Sequence, residues 1–318
     1  MHVVKLDFLK NFAENNSSSR FDHVDFTLLA DGKSVLPGQG KGMKTYFGLG
    51  FWSHDFKRVG LIPPEANPAQ SMKYYPNHFN YWNLRSTFLN FPSEVQVTTW
   101  FNQLSEHAAP DFLCTPVVSS EITHRTKLWS LAGQLREYFS HIRLLKQYLG
   151  PVCLQISPKI SPDNLDEILS ILTLIPQDIK CFIELRNLEW FREPAQEKIH
   201  EVFKEKNIAL IMSDTAENRE LLHMGHTTRE TMIRFFATGH QQTDQVRLKQ
   251  WAVRLKDWKA KGLEQLYFSV ECPKDITGLK VARFTVEEFN RVFDAGLKPL
   301  VLSPELPKPD EDDRWVYL

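Results

Sequence analysis

The chain is poor in cysteine. Its 318 residues include four, Cys114, Cys153, Cys181 and Cys272, and none stands in a Cys-x-x-Cys pair. That spacing supplies neither a zinc ligand set nor a dithiol redox motif. Cys114, Cys153 and Cys181 lie in apolar, strand-like runs, where a thiol behaves as a small buried hydrophobe. Neither sign of charge is in excess: 38 Lys and Arg face 39 Asp and Glu. A protein that tracks phosphate backbones carries a basic surplus, so nucleic acid is not an expected partner. Nothing approaches the roughly 20 apolar residues of a membrane helix. The best run, Ile168 to Ile175, is broken by Ser170 and Thr173. The start, Met1-His2-Val3-Val4-Lys5-Leu6-Asp7, puts charge where a signal peptide is apolar, so the expected location is the cytoplasm, with no membrane partner. There is no Walker loop, no Gly-x-Ser-x-Gly elbow, no His-Glu-x-x-His and no tight carboxylate cluster, so neither a cofactor nor a metal is expected. Gly48-Leu49-Gly50-Phe51-Trp52 lacks the third glycine of a dinucleotide loop.

What is present is ordinary for a globular chain: 42% hydrophobic and 24% charged residues. Residues 1–42 read as a partly flexible extension, punctuated by Asn15-Asn16-Ser17-Ser18-Ser19 and Gly38-Gln39-Gly40-Lys41-Gly42. Within it Phe21 to Leu29 reads as a short strand or as a segment docked on the main body. Residues 304–318 read as a tail, which packs back on the chain or docks on a protein partner. Between them, over 43–303, eight short apolar or aromatic runs alternate with longer amphipathic ones. The runs are Thr45–Gly50, Tyr81–Arg85, Asp111–Pro116, Val152–Gln155, Lys180–Leu185, Ala209–Ser213, Thr231–Phe236 and Gln265–Val270. Leu128, Leu131, Leu135, Phe139 and Ile142 recur at helical spacing, as do Trp251, Leu255 and Trp258. Ser161-Pro162 is a helix start and Gly262 a helix stop. Strands alternating with helices give parallel strands, and eight such units predict a single-domain α/β fold of the (β/α)8 TIM-barrel type.

Such a barrel carries its site at the C-terminal ends of its strands, where residues two apart share a face. The fifth strand puts Phe182, Glu184 and Arg186 on one face and Cys181, Ile183 and Leu185 on the other. The same reading pairs Cys153 with Gln155, and groups Leu210, Met212 and Asp214; Met232, Arg234 and Phe236; Tyr267, Ser269 and Glu271; and Tyr81, Asn83 and Arg85. Polar groups gather at one rim. Each also has a plainer reading: Glu184 and Arg186 as a structural ion pair, Asp214 as a cap, His124 as a hydrogen-bonded structural residue, and Trp52 as loop packing.

These residues carry a resemblance. Gly50-Phe51-Trp52, Tyr74-Tyr75-Pro76 with Phe79, Thr123-His124 with Leu128, Leu149-Gly150, Gln155-Ile156-Ser157-Pro158, Glu184-Leu185-Arg186-Asn187-Leu188-Glu189-Trp190 and Arg234 follow one another as in the YecE-like family, the domain of unknown function family 72. The chain resembles a divergent member from about Tyr46 to Leu300. The resemblance implies a (β/α)8 barrel and no established reaction. It also implies a glutamate where Asn83 stands, a lysine at Val117, a histidine at Asn187, a histidine near Phe236, and paired asparagines around Val270 and Glu271.

Two functions are open at this point. One is an enzyme of hydrolase or isomerase type acting on a small polar or anionic substrate. In it Arg186 and Arg234 hold a carboxylate or phosphate, Glu184 and Asp214 are general acid–base groups, and His124 is a second proton-transfer group. Gln155, Trp52, Asn83 and Glu271 then line the substrate. The other is a barrel that binds a ligand, or serves as a scaffold, without catalysis.

Overall fold

The computed structural model describes residues 21, 23–124, 132–272 and 275–304. Eight strands follow one another: β1 (Lys44–Leu49), β2 (Tyr81–Leu84), β3 (Leu113–Pro116), β4 (Val152–Ile156), β5 (Cys181–Leu185), β6 (Ala209–Asp214), β7 (Glu230–Phe236) and β8 (Gln265–Glu271). The longer helices are α1 (Glu94–His107), α2 (Ala132–Ile142), α3 (Leu165–Leu172), α4 (Ala195–Glu205), α5 (Gln241–Lys261) and α6 (Asp275–Phe293). All strand pairs are parallel, and the neighbours run β4-β5-β6-β7-β8-β1, with β2-β3 beside them. This is the strand order of a (β/α)8 barrel.

The backbone ladder is interrupted at two seams. Between β1 and β2 side chains take its place: Phe47 N–H donates to Asn80 Oδ1 (2.8 Å) and Asn80 Nδ2 to the Thr45 carbonyl (2.9 Å). Leu49 N–H donates to the Tyr75 hydroxyl (2.6 Å), which donates to the Tyr81 carbonyl (2.9 Å). Gly48 permits this approach, since a Cβ there would stand 1.7 Å from the Tyr81 oxygen. Between β3 and β4 only isolated bridges form, Cys114 with Leu149 and Val117 with Cys153.

The lumen is filled by Tyr81, Val117, Cys153, Phe182, Ile211, Met232 and Tyr267, with Tyr46 stacked on Tyr267 at 4.9 Å. The opposite strand faces pack on helices, where Cys181, Ile183 and Leu185 meet Ile199 and Phe203 of α4. The four cysteines are free and buried, and burial pushes the Cys181 thiol up to about 12. Ser161 and Asn164 form a capping box before α3. Gly262 ends α5 at φ 104°, a left-handed value that glycine adopts without strain.

After β6 there is a 3-10 turn (Arg219–Leu221) but no long helix, and the N-terminal extension lies along the gap. Gly32 N–H donates to the Met224 carbonyl, Val35 N–H to that of His226, and His226 N–H to that of Lys33. The extension then follows α5. Leu28 N–H donates to Gln250, Asp31 pairs with Arg254 and Lys261, and Gly38 and Gly40 donate to the Lys261 and Ala260 carbonyls. Phe21 to Leu29 thus docks on the barrel; the described part of it forms no strand. The tail from 305 to 318, the Asn15–Ser19 run, Leu128 and Leu131 lie outside the described residues. Among the described residues no helix is long and apolar enough to cross a membrane.

Candidate functional site

Above the aromatic floor of the lumen, at the C-terminal strand ends, charged and amide side chains meet. Glu184 of β5 is fully buried and accepts four hydrogen bonds. Its Oε2 takes Gln155 Nε2 from β4 (2.7 Å) and Arg234 Nη1 from β7 (2.5 Å). Its Oε1 takes Arg186 Nη1 (2.9 Å) and Ser213 Oγ from β6 (2.5 Å). Burial alone would raise its pKa; the guanidiniums of Arg234 and Arg186 and the bonds from Ser213 and Gln155 outweigh it and hold the carboxyl well below the usual range.

Arg234 links this carboxylate to a second one. Its Nε donates to Glu271 Oε1 (3.2 Å), which also accepts from Asn83 Nδ2 of β2 (2.8 Å) and Ser269 Oγ (3.0 Å). The other oxygen, Glu271 Oε2, is buried without a hydrogen-bond partner among the described residues, as is Asn83 Oδ1. Gly50 makes room for the carboxylate: a Cβ there would lie 1.9 Å from Oε2. Phe236 lies beneath Arg234 and Arg186, at 5.2 and 6.0 Å.

Arg85, just past β2, completes the cluster. Burial lowers the pKa of its guanidinium, and so do the like charges of Arg234 and Arg186, while Glu271 and Glu184 act in the opposite sense. Its guanidinium forms neither an ion pair nor a hydrogen bond among the described residues. Among the described residues the mouth therefore gathers three guanidiniums, those of Arg85, Arg186 and Arg234, and the two carboxylates of Glu184 and Glu271.

Glu184, Arg186, Arg234, Gln155, Asn83 and Glu271 thus form one hydrogen-bonded network. His124 stands beside it: Thr123 Oγ1 lies 3.0 Å from its Nδ1 and Phe88 meets it edge-on at 5.1 Å. Burial lowers its pKa, Arg186 lowers it further, and Glu184 opposes both.

Four expectations need correction. Asp214 is not in the mouth. It lies on the outer face of β6, where it accepts from Arg219, Arg247 and Trp251 Nε1 (2.7 Å), and the inward residues of that strand are Ala209, Ile211 and Ser213. Trp52 packs on Phe56 (4.9 Å), Tyr75 (5.1 Å) and Trp82 (5.8 Å), in the layer outside β2. Glu184, its oxygens saturated by donors, does not fit a general acid or base, which needs a pKa near the working pH. Arg234 is likewise spent on Glu184 and Glu271, so the free guanidinium at the mouth is that of Arg85. Ser213 and Ser269 join the network without having been singled out. Ser213 was hidden by the strand parity, and Ser269 shares the inward face read for Glu271.

A cavity of about 560 Å³ opens at the other end of the barrel, lined by Arg143, Lys146, Asp178, Lys180 and Tyr267 among others. There Arg143 is bonded to Asp178 and Lys180 to Glu230. Buried unmatched charge, which calls for a ligand, is found at the mouth instead. Among the described residues no three histidine, cysteine or carboxylate groups converge as a metal site requires.

Residues 46–304 match the model of a family described as protein of unknown function DUF72. The chain belongs to the DUF72 family. Solved DUF72 family proteins share its fold. One from Enterococcus faecalis V583 is 14% identical, with 83% of this chain and 100% of that chain covered and a TM-score of 0.58. One from Thermotoga maritima MSB8 is 16% identical, with 75% and 97% covered and a TM-score of 0.54. At such identities the likeness carries the fold alone. No curated protein matches the chain.

Proposed function

We propose that the DUF72 barrel of this chain binds a small anionic ligand, a carboxylate or a phosphate ester, at its C-terminal mouth. The observation that carries this reading is the guanidinium of Arg85, unmatched among the described residues, beside a cluster in which Arg186 and Arg234 are bonded to Glu184 and Glu271. A half-buried cation without a partner among the described residues is open to an anion, and a planar guanidinium fits the two oxygens of a carboxylate or phosphate. Arg186, with its side chain 17% exposed, lies at the solvent side of the network and supplies the second cation. Glu184 fixes Arg186 and Arg234 in place and takes no part in proton transfer.

His124 supports an enzymatic reading of the same site. An imidazole beside an anion-binding cluster suits general base catalysis of a hydrolysis or isomerisation.

The test is a thermal-shift and calorimetric screen of carboxylates, sugar phosphates and nucleotides against the wild type, Arg85→Met and His124→Gln. Stabilisation of the wild type by an anion, abolished in Arg85→Met and kept in His124→Gln, is the expected result. Equal stabilisation of a folded Arg85→Met would refute the binding reading. Turnover of the bound anion by the wild type at a rate unchanged in His124→Gln would refute the catalytic one.

A further inference from the structure

The mouth has, besides a free cation, two free acceptors. Asn83 is 1% and Glu271 2% exposed, and Asn83 Oδ1 and Glu271 Oε2 both lack a donor. The groups are already joined to each other through the 2.8 Å bond from Asn83 Nδ2 to Glu271 Oε1, so the two orphaned oxygens belong to one corner of the site.

Rotating the amide does not cure the deficit. Asn83 Nδ2 also faces Ser269 Oγ at 3.4 Å. A flipped Asn83 would turn its oxygen on the Glu271 carboxylate and exchange an attraction for a repulsion. The Ser269 hydroxyl has one proton, and it is given to Glu271 Oε1. Arg234 reaches the same oxygen through Nε and spends Nη1 on Glu184. From the β1 side no side chain reaches Oε2, because Gly50 has none. A buried acceptor left without a donor is unfavourable, and more so for a charged group. Arg85 stands two residues after Asn83 at the end of β2, and Asn83 is bonded to Glu271, so the unmatched cation and the free acceptors share one side of the mouth.

We infer that the ligand carries a hydroxyl group beside its anionic group, the anion taken by Arg85 and the hydroxyl donated to Glu271 Oε2 or Asn83 Oδ1. The inference rests on the anion-binding reading above and narrows it to hydroxy acids and the phosphate esters of polyols. Plain anions meet the cation but leave the acceptors bare, or leave them to water. A single hydrogen bond to a charged group is worth about tenfold to a hundredfold in affinity, which is the preference the corner supplies.

Calorimetry on the full chain with two matched pairs of probes tests this: glycolate against acetate, and glycerol 3-phosphate against propyl phosphate. In at least one pair the hydroxylated member binds tenfold or more tightly than its partner. The gap closes in Asn83→Ala, with Glu271→Gln as a second variant that keeps the shape of the corner. Equal affinities within both pairs would overturn the hydroxyl inference and leave the anion site standing. A gap that persists undiminished in folded Asn83→Ala and Glu271→Gln would also overturn it, since the hydroxyl would then be read elsewhere. No binding of any of the four probes by the folded wild type would overturn the anion reading and this inference with it.

Discussion

Acid loosens this protein before its carboxylates protonate, and two buried histidines set the slope. His223 is used as a neutral ring on both sides: Nε2 donates to the Ile211 carbonyl (3.3 Å) and Nδ1 accepts from Gly225 N–H (3.2 Å). His226 stands edge-on to Trp258 at 4.2 Å and keeps Nε2 buried without a partner. Burial first, and neighbouring histidines second, lower His223 to about 4 and His226 to about 3 from the ordinary 6.5; Asp31 opposes the shift at His226 and Lys261 adds to it. In the unfolded chain both titrate near 6.5. As pH falls, the unfolded state therefore takes up protons first and stability declines from about pH 7 down to the folded pKa values. Between pH 8 and 5 each ring withdraws about 2 kcal/mol, together about 4, from a total that is typically about 5–15 kcal/mol. The lowered carboxylates of Asp31, Asp214 and Glu184 act in another window. Their stabilisation is present above the unfolded pKa and is lost only below about pH 4. Urea unfolding at pH 8, 6.5 and 5 measures the slope in the wild type, His226→Gln and the His223→Gln/His226→Gln double variant. The single variant should lose about half of the acid sensitivity. The double should keep only what His78 and His124, both also lowered by burial, contribute. A folded double variant with the wild-type slope would refute the reasoning.

Other substitutions probe the mouth and its frame. Glu184→Gln leaves the Arg234 and Arg186 guanidiniums facing an amide and should cost about 3–5 kcal/mol in urea unfolding; a loss below about 1 kcal/mol would mean the network reorganises freely. Gly50→Ala drives a methyl into the Glu271 carboxylate and should cost about 1–3 kcal/mol and weaken anion binding. Gly133→Ala in α2, where a Cβ meets nothing within 4 Å, should be neutral or stabilising by up to about 1 kcal/mol. Deleting residues 1–42 strips the extension from His226 and α5 and should lower the melting temperature, by about 2–4 °C for each kcal/mol lost, read by circular dichroism; an unchanged melting curve would show the extension to be incidental.

The strands were legible because each is a short apolar run bounded by turn residues, and every one of the eight predicted runs contains an observed strand or most of one. Inward and outward faces were legible where the two faces differ, as in Phe182-Ile183-Glu184-Leu185-Arg186. In β6 they do not. Ala209-Leu210-Ile211-Met212 is apolar on both faces, as a strand covered on both sides should be, so nothing in the pattern says whether Ser213 or Asp214 turns inward. The charged residue was the natural choice and the wrong one: it is held outside by Arg247 and Trp251, which lie far along the chain on α5. The seams were not legible either, because at the first of them Asn80 and Tyr75 act as stand-ins for backbone groups, and that depends on positions fixed by the assembled barrel. Arg85 was visible on the inward face of the second run, but its lack of a partner is a fact of the assembled mouth alone.

The network also bears on whether this barrel has lost its site. The resemblance implies a carboxylate on the second strand and amides after the eighth, and Asn83 there reads as the loss of a charge. In the folded chain the amide and the carboxylate are both present with their strands exchanged: Asn83 on β2 donates to Glu271 on β8 at 2.8 Å. Moving a carboxylate across one hydrogen bond keeps the charge of the mouth and its pairing with Arg234 while it shifts which corner holds the free acceptor. A site in decay accumulates unmatched losses, and the one at Val117 has become part of the apolar lumen. The pairing of Asn83 with Glu271 therefore leaves the mouth charged, as the proposed anion site requires.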